Sequence, residues 1–248
     1  MKKRLLILGM IFIMAVSSAG CGSSSSDNSG KADQSKQTAT VQDSQKDTSN
    51  DSKSDNDKKD TKYKSADEIT MDDLMSHDET PAEDFEFNDG ADEIVIQKYV
   101  GKDPIVVIPD EIDGKKVVGF ESAFTLNNNI VAVKIGNNVQ EVENSAFSGC
   151  KQLKYVVMGD SVKTIGGRMF AQTNLQELVL NDGLQKIGQD DSNNVLAPPS
   201  SNCGMDLKIP ESVTELHVSE FNLIGKSGSY AEQYANEHAD AGVTFTAE

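Results

Sequence analysis

Few side chains in this 248-residue chain have the means to do chemistry. His77, His217 and His238 lie in separate stretches, and none has a nucleophile or carboxylate at a spacing that would build a proton relay. His217 follows the apolar Leu216 and reads as a residue of an exposed strand. Gly225-Lys226-Ser227 has the ending of a phosphate-binding loop, but the glycine required five residues earlier is replaced by Glu220. Asp190, Ser192 and Asn194 are spaced like the first ligands of a calcium loop. There Val195 stands in the place of the sharp-turn glycine and Ser201 in that of the bidentate glutamate, so the reading is a solvated acidic loop. Three cysteines, Cys21, Cys150 and Cys203, make neither a disulfide framework nor a Cys/His metal cluster. Cys150 reads as a packing residue, and a bridge to Cys203 stays open. No catalytic set, metal or cofactor is expected.

Cys21 is the exception, because of what precedes it. Lys2, Lys3 and Arg4 are followed by an apolar run from Leu5 to Val16 and then by Ser17, Ser18, Ala19 and Gly20, the plan of a secretory signal peptide. The Ser-Ala-Gly-Cys ending resembles the lipobox of bacterial lipoproteins, although Ser18 stands where leucine is more common. That resemblance implies a leader over residues 1–20, diacylation of Cys21 and a protein held at the outer face of the cell membrane. An ordinary signal peptide cut after Ala19 or Gly20, or an uncleaved anchor, is the alternative.

Residues 21–82 would be a lipidated cysteine and a disordered tether, since Ser, Asp, Lys, Gln, Thr and Asn dominate and too little apolar surface is present to offset the entropy of ordering. Its reach would grow as about 5 to 6 Å times the square root of residue number. Near its end Ile69, Met71, Leu74 and Met75 make a helical stripe, with Thr70 and Asp73 spaced as a capping box. A stripe this short is read as a fraying turn in preference to a docking helix. The whole chain carries a net charge of −17, most of it in residues 83–248. A domain so acidic repels phosphate backbones and anionic headgroups, which excludes nucleic acid and direct electrostatic membrane docking.

The remaining stretch, residues 83–248, repeats. Phe124, Phe147 and Phe170 lie 23 residues apart. Ile130, Leu153 and Leu175 head the units, followed by Val133, Val156 and Leu178, then Ile135, Met158 and Leu180. Further columns are Val139, Val162 and Leu184, and Val142, Ile165 and Ile187. A repeat of this length cannot bury its own apolar side, so stacking must supply the core. The fourth unit is longer and lacks the Phe, a slot for which Leu196 is the candidate.

Ser145-Ala146-Phe147-Ser148-Gly149-Cys150-Lys151-Gln152-Leu153, with Ile209-Pro210, resembles the BspA-type leucine-rich repeat. The resemblance implies a mainly β fold with short helices: a right-handed leucine-rich-repeat solenoid with parallel strands, an N-terminal β cap and a C-terminal helix-containing cap. It also implies surface display, adhesion and protein binding. Alternation along the strands sends Val156, Met158, Leu178 and Leu180 inward and Val157 and Val179 outward. Gly159, Gly166 and Gly183 are placed at bends, where positive φ is often needed. Ser229 is an expected N-cap for a helix running through His238, with Tyr230, Tyr234 and Ala235 on its buried side.

Outward columns at Ala132, Tyr155, Glu177 and Asp206, and at Lys134, Val157, Val179 and Lys208, bring Tyr155, Val157, Glu177 and Val179 together as a candidate partner-binding patch. The insertion Gln189 to Gly204 is a second candidate, as a long loop on a rigid scaffold. The expected function is a surface-anchored module, monomeric and without catalysis, that binds a protein or an envelope or host surface ligand. An envelope hydrolase, or an accessory subunit of an envelope enzyme, is the alternative.

Overall fold

In the computed structural model, residues 63–120, 122–188 and 196–248 are described; the leader, Cys21, most of the tether and the loop tip at 189–195 lie outside them. The first element is a five-residue helix, α1 (Met71–Met75). Strands β1 (Phe85–Asp89), β2 (Glu93–Tyr99), β3 (Ile105–Val107), β4 (Glu111–Ile112) and β5 (Lys115–Phe120) follow. Four of them form a mixed sheet in the order β1-β2-β5-β4, with β2 and β5 parallel.

From β3 onward the chain winds as a parallel solenoid, and the three turns from β6 to β11 each give one strand to each of two ladders. The first ladder runs β3, β6 (Ala132–Lys134), β8 (Tyr155–Val157) and β10 (Glu177–Val179), in register at Val106, Val133, Val156 and Leu178. The second holds β7 (Glu141–Val142), β9 (Thr164–Ile165), β11 (Lys186–Ile187) and β13 (Glu215–Leu216), in register at Val142, Ile165, Ile187 and Leu216. The residues in register are the repeat's apolar columns, and each is buried between the ladders. A three-stranded parallel sheet of β12 (Met205–Lys208), β14 (Phe221–Gly225) and β15 (Thr244–Ala247) continues the winding, with α2 (Tyr230–Glu237) between β14 and β15.

Phenylalanine joins the turns. Phe124 and Phe147 have ring centroids 5.5 Å apart, and Phe147 and Phe170 lie 6.4 Å apart with planes 4° from parallel. Phe120 sits beside the row, edge-on at 5.4 Å from Phe124 and tilted at 5.9 Å from Phe147. No solvent reaches Phe124, Phe147 or Phe170, so each ring takes its neighbours in the turns above and below as its packing surface.

Each Phe sits midway between two residues in the left-handed backbone region. Ser122 and Leu126, Ser145 and Gly149, and Arg168 and Gln172 have φ from 52° to 77°. This paired reversal turns the chain sharply and lets the amide of one turn reach the carbonyl of the next, as in Leu126 N to Ser148 O at 2.9 Å and Gly149 N to Ala171 O at 2.7 Å. Leu196 is fully buried and bridges to Val218.

Several expectations need correction. Positive φ is absent at Gly159, Gly166 and Gly183. Gly159 and Gly166 are glycines for lack of room: a Cβ would stand 2.2 Å from Gly136 O and 2.4 Å from Asn144 N, so any side chain would push the turns apart. Tyr230 is 40 % exposed, because it opens the helix, while Ala231, Tyr234 and Ala235 face inward. Ser229 does cap α2, accepting from Glu232 N, and the Tyr234 hydroxyl both donates to Val218 O and accepts from Val218 N. Finally, the folded part does not wait for residue 83: residues 63–82, expected to belong to the tether, are packed, with Ile69 and Leu74 buried.

Two substitutions test this packing by denaturant unfolding. Phe147→Ala removes a ring from the middle of the row and should cost about 3–5 kcal/mol. Gln172→Gly relieves a left-handed non-glycine residue on the surface and should stabilise by roughly 0.5–1 kcal/mol, the steric relief exceeding the added chain entropy.

Candidate functional site

The outer face of the first ladder consists of two rows across four strands. Ile105, Ala132, Tyr155 and Glu177 form one, and Val107, Lys134, Val157 and Val179 form the other. Alternation sends these side chains away from the solenoid interior. Residues 65–80 determine which of them meet water.

Those residues cross the face as a cover. Ile69 and Leu74, with Met71 and Ala66 beside them, pack on Ile105, Val107, Val131, Ala132 and Val157. A five-residue helix has no stability of its own, and this one is held at three points. Thr70 and Asp73 close a reciprocal capping box, with Asp73 N to Thr70 Oγ1 at 3.3 Å and Thr70 N to Asp73 Oδ2 at 2.9 Å. Lys64 pairs with the Asp73 carboxyl, and that bond together with the Thr70 amide holds the acid below the usual carboxylate range. Lys154, only 8 % exposed, donates to Ala66 O at 2.9 Å and to Asp67 Oδ1 at 3.1 Å. Beyond the helix, Thr80 donates its amide to Val107 O and accepts from Val107 N through its hydroxyl, both at 2.9 Å. That pairing shields the edge of β3.

The four residues expected to form the partner patch therefore separate. Val157 points outward as anticipated but is only 7 % exposed, because it shares the cluster formed under the cover. Tyr155 is half-buried at the border of the cover, its hydroxyl 3.3 Å from Gln176 Oε1. Glu177 is exposed, and Val179 is 39 % exposed. The open half of the face continues into a polar strip. Asn222 Nδ2 donates to Asp206 Oδ1 at 2.7 Å, and Thr244 and Thr246 donate to Asn222 Oδ1 at 3.0 and 3.2 Å. Lys208 pairs with Glu248 at 2.7 Å.

The sequence reading places residues 63–80 in the tether and its closing turn, whereas on this face they form the cover. Its traces were the capping box, the pair Ile69 and Leu74, and alanine at 132, a small residue that lets a helix come close. A cleft of about 350 Å³ beside the cover also brings together residues that seemed unrelated, among them Ser76, His77 and Asp103. His77 Nε2 is 3.5 Å from Asp103 Oδ2 and its Nδ1 is 2.9 Å from Asp78 O. Ser76 Oγ donates to Asp72 O at 2.8 Å, closing the helix end, so this hydroxyl faces a carbonyl and not the imidazole. His217 is half-buried and 3.1 Å from Glu215 Oε1, and His238 stacks on Tyr234 at 3.9 Å. The described residues hold no group of three His, Cys, Asp or Glu side chains that could bind a metal. None of their helices is long and apolar enough to cross a membrane. The acidic loop at 190–194 and the first half of the 189–204 insertion lie outside the described residues. In the second half Pro198 and Pro199 are buried, and Asn202 Nδ2 donates to Leu175 O at 3.0 Å.

The family comparison agrees with this architecture. Residues 120–195 match the model of the BspA type leucine rich repeat region, in six copies. No curated protein matches the chain. A crystal structure of a T. pallidum leucine rich repeat protein is 29% identical, over 59% of this chain and 71% of that one, with a TM-score of 0.49.

Cys150 is buried and Cys203 exposed, with no disulfide between them. Burial pushes the Cys150 thiol up to about 11, and it donates to Phe124 O inside the stack. Cys203 is exposed, its own thiol raised by desolvation and by the neighbouring Glu220 carboxylate. A thiol titration near neutral pH should therefore label Cys203 slowly in the folded protein and reach Cys150 only after denaturation.

Proposed function

We propose that this chain, whose residues 120–195 are a BspA-type leucine-rich-repeat region, is a protein-binding module displayed at a bacterial cell surface from a lipid on Cys21. Leucine-rich repeats are protein-interaction modules, and that much follows from the repeat itself.

One observation carries the choice of surface: Val179 remains exposed on a rigid parallel ladder, with Glu177 exposed and Tyr155 half-buried beside it. An apolar side chain flanked by an aromatic and a charge, on strands whose positions are fixed by a stacked core, needs no reordering to meet a partner. The face is extended, and its polar continuation through Asp206, Asn222 and Thr244 supplies the rim that protein interfaces have. The patch retained from the four residues is thus Tyr155, Glu177 and Val179, with Val157 part of it beneath the cover.

Support for the anchor comes from the leader pattern ending at Cys21 and from the Ser- and Asp-rich stretch that follows it. Such a stretch lets a folded module stand off from the surface that holds it. The partner is a protein, or an envelope or host surface ligand, and the domain acts as a monomer. Nothing in the contacts of Ser76, His77 and Asp103 favours the hydrolase alternative over this reading, since the serine is engaged with the helix end.

Two measurements test the proposal. Mass spectrometry of the mature protein should find Cys21 as the N-terminal residue carrying a diacylglycerol; an unmodified Cys21 ends the anchoring. With a partner captured from envelope or host extracts, Val179→Asp and Tyr155→Ala should each weaken binding by roughly tenfold or more at unchanged melting temperature. Binding by both variants as tight as that of the unsubstituted chain overturns the surface assignment.

A further inference from the structure

The apolar residues of the domain fall into two clusters that do not merge. The large one runs through the solenoid interior. The small one lies wholly on the outer face and consists of the cover's Ile69 and Leu74 with Ile105, Val107, Val131, Ala132 and Val157. The cover contributes nothing to the interior, so lifting it leaves the stacked phenylalanines and both ladders intact. Segments with few buried contacts of their own are the ones that open locally while the rest stays folded.

Lifting it would also change what the face offers. Ile105, Val107, Ala132 and Val157 would join Tyr155 and Val179 in one apolar strip across four hydrogen-bonded strands. Lys154, now satisfied by Ala66 O and the Asp67 carboxylate, would lose both partners. A segment that buries that ammonium again must offer it a carbonyl and an acid, as residues 66 and 67 do. Lys134, between Val107 and Val157 in the second row, adds a further positive charge to the face. The β3 edge would again present Val107 N and O, which Thr80 now pairs.

We propose that the outer face of β3, β6 and β8 is a binding groove for an acidic, amphipathic segment of a protein partner, and that residues 65–80 occupy it in cis until such a segment replaces them. The occupant defines the ligand. It has two aliphatic anchors five residues apart, one just before a short helix and one on it, an acidic residue ahead of them for Lys154, and a residue after them that pairs with Val107. This rests on the reading that the ladder face is the binding surface, and extends that surface from its open half to the covered one.

Hydrogen exchange on the full chain tests whether the cover opens. The amides of Leu74, Ser76 and Thr80 should exchange roughly 100-fold faster than those of Ile135 and Met158, which bond across the ladder. Equal protection of the two sets overturns the proposal. A fluorescent synthetic peptide of residues 63–80 tests exchange. It should bind saturably to the full chain carrying Ile69→Asp and Leu74→Asp, at least tenfold less tightly to the unsubstituted chain, and more weakly again when the peptide carries Asp67→Lys. Failure of a folded double variant to take the peptide, or equal affinity for both chains, overturns it. So does dimerisation of the double variant without peptide uptake, which would make a second copy the occupant. If the double variant does not fold, the exchange rates of the unsubstituted chain decide. Normal partner binding by Val179→Asp, alongside peptide exchange as expected, would count against the surface assigned in the preceding section and not against the displaceable cover.

Discussion

A turn of about two dozen residues cannot enclose its own apolar side, and every feature of this domain follows from that shortfall. Each turn borrows its core from its neighbours through Phe124, Phe147 and Phe170, whose rings find in one another the contacts a globular core would supply from all directions. The backbone submits to this arrangement. Paired left-handed residues bracket each ring, and glycine stands at 159 and 166 because the strands must approach closer than any Cβ allows. Strain at Ser122, Leu126, Arg168 and Gln172 is tolerated because relaxing it would take the rings out of line.

Stacking leaves two problems that the repeat does not solve. The first is the end of the ladder, where β3 would show unpaired amides and carbonyls; Thr80 answers it with two hydrogen bonds to Val107. The second is the outer face, where the same β-branched residues that suit a strand also make an apolar surface. Over β3, β6 and β8 the chain's own residues 65–80 lie on that surface, and over β10 they do not. A continuous face is thereby divided into a covered half and an open half, and the boundary runs past Tyr155.

The interior was legible in the sequence because it is periodic: one column fixes a strand, its facing and its depth, and three copies leave little room for another reading. Residues that act across long separations were not. Val157 shows an outward facing in its local alternation, yet its burial depends on a helix far upstream, and Lys154 reaches Ala66 across 88 positions. The capping box at Thr70 and Asp73 was visible, but a five-residue stripe owes its existence to the surface it lands on, which no local window contains. Gly159 and Gly166 were rightly singled out as special and explained by the wrong cause. Their neighbours in space are Gly136 and Asn144, one turn back, and the lack of room appears only when turns are superposed. For the same reason Asp103 beside His77 carried no signal.

The position of the cover along the chain has a mechanical consequence. Residues 65–80 lie between the long polar linker and β1, so a pull applied from the linker side travels through them before it reaches any strand. The cover and the solenoid are loaded in series. Its few side-chain anchors, Ile69, Leu74 and the Lys154 contacts, would yield first, lengthening the chain and dissipating the load while the ladders stay closed. Such a pull would thus be converted into uncovered surface, with the domain's N-terminal side acting as a fuse for the stack and a trigger for its outer face.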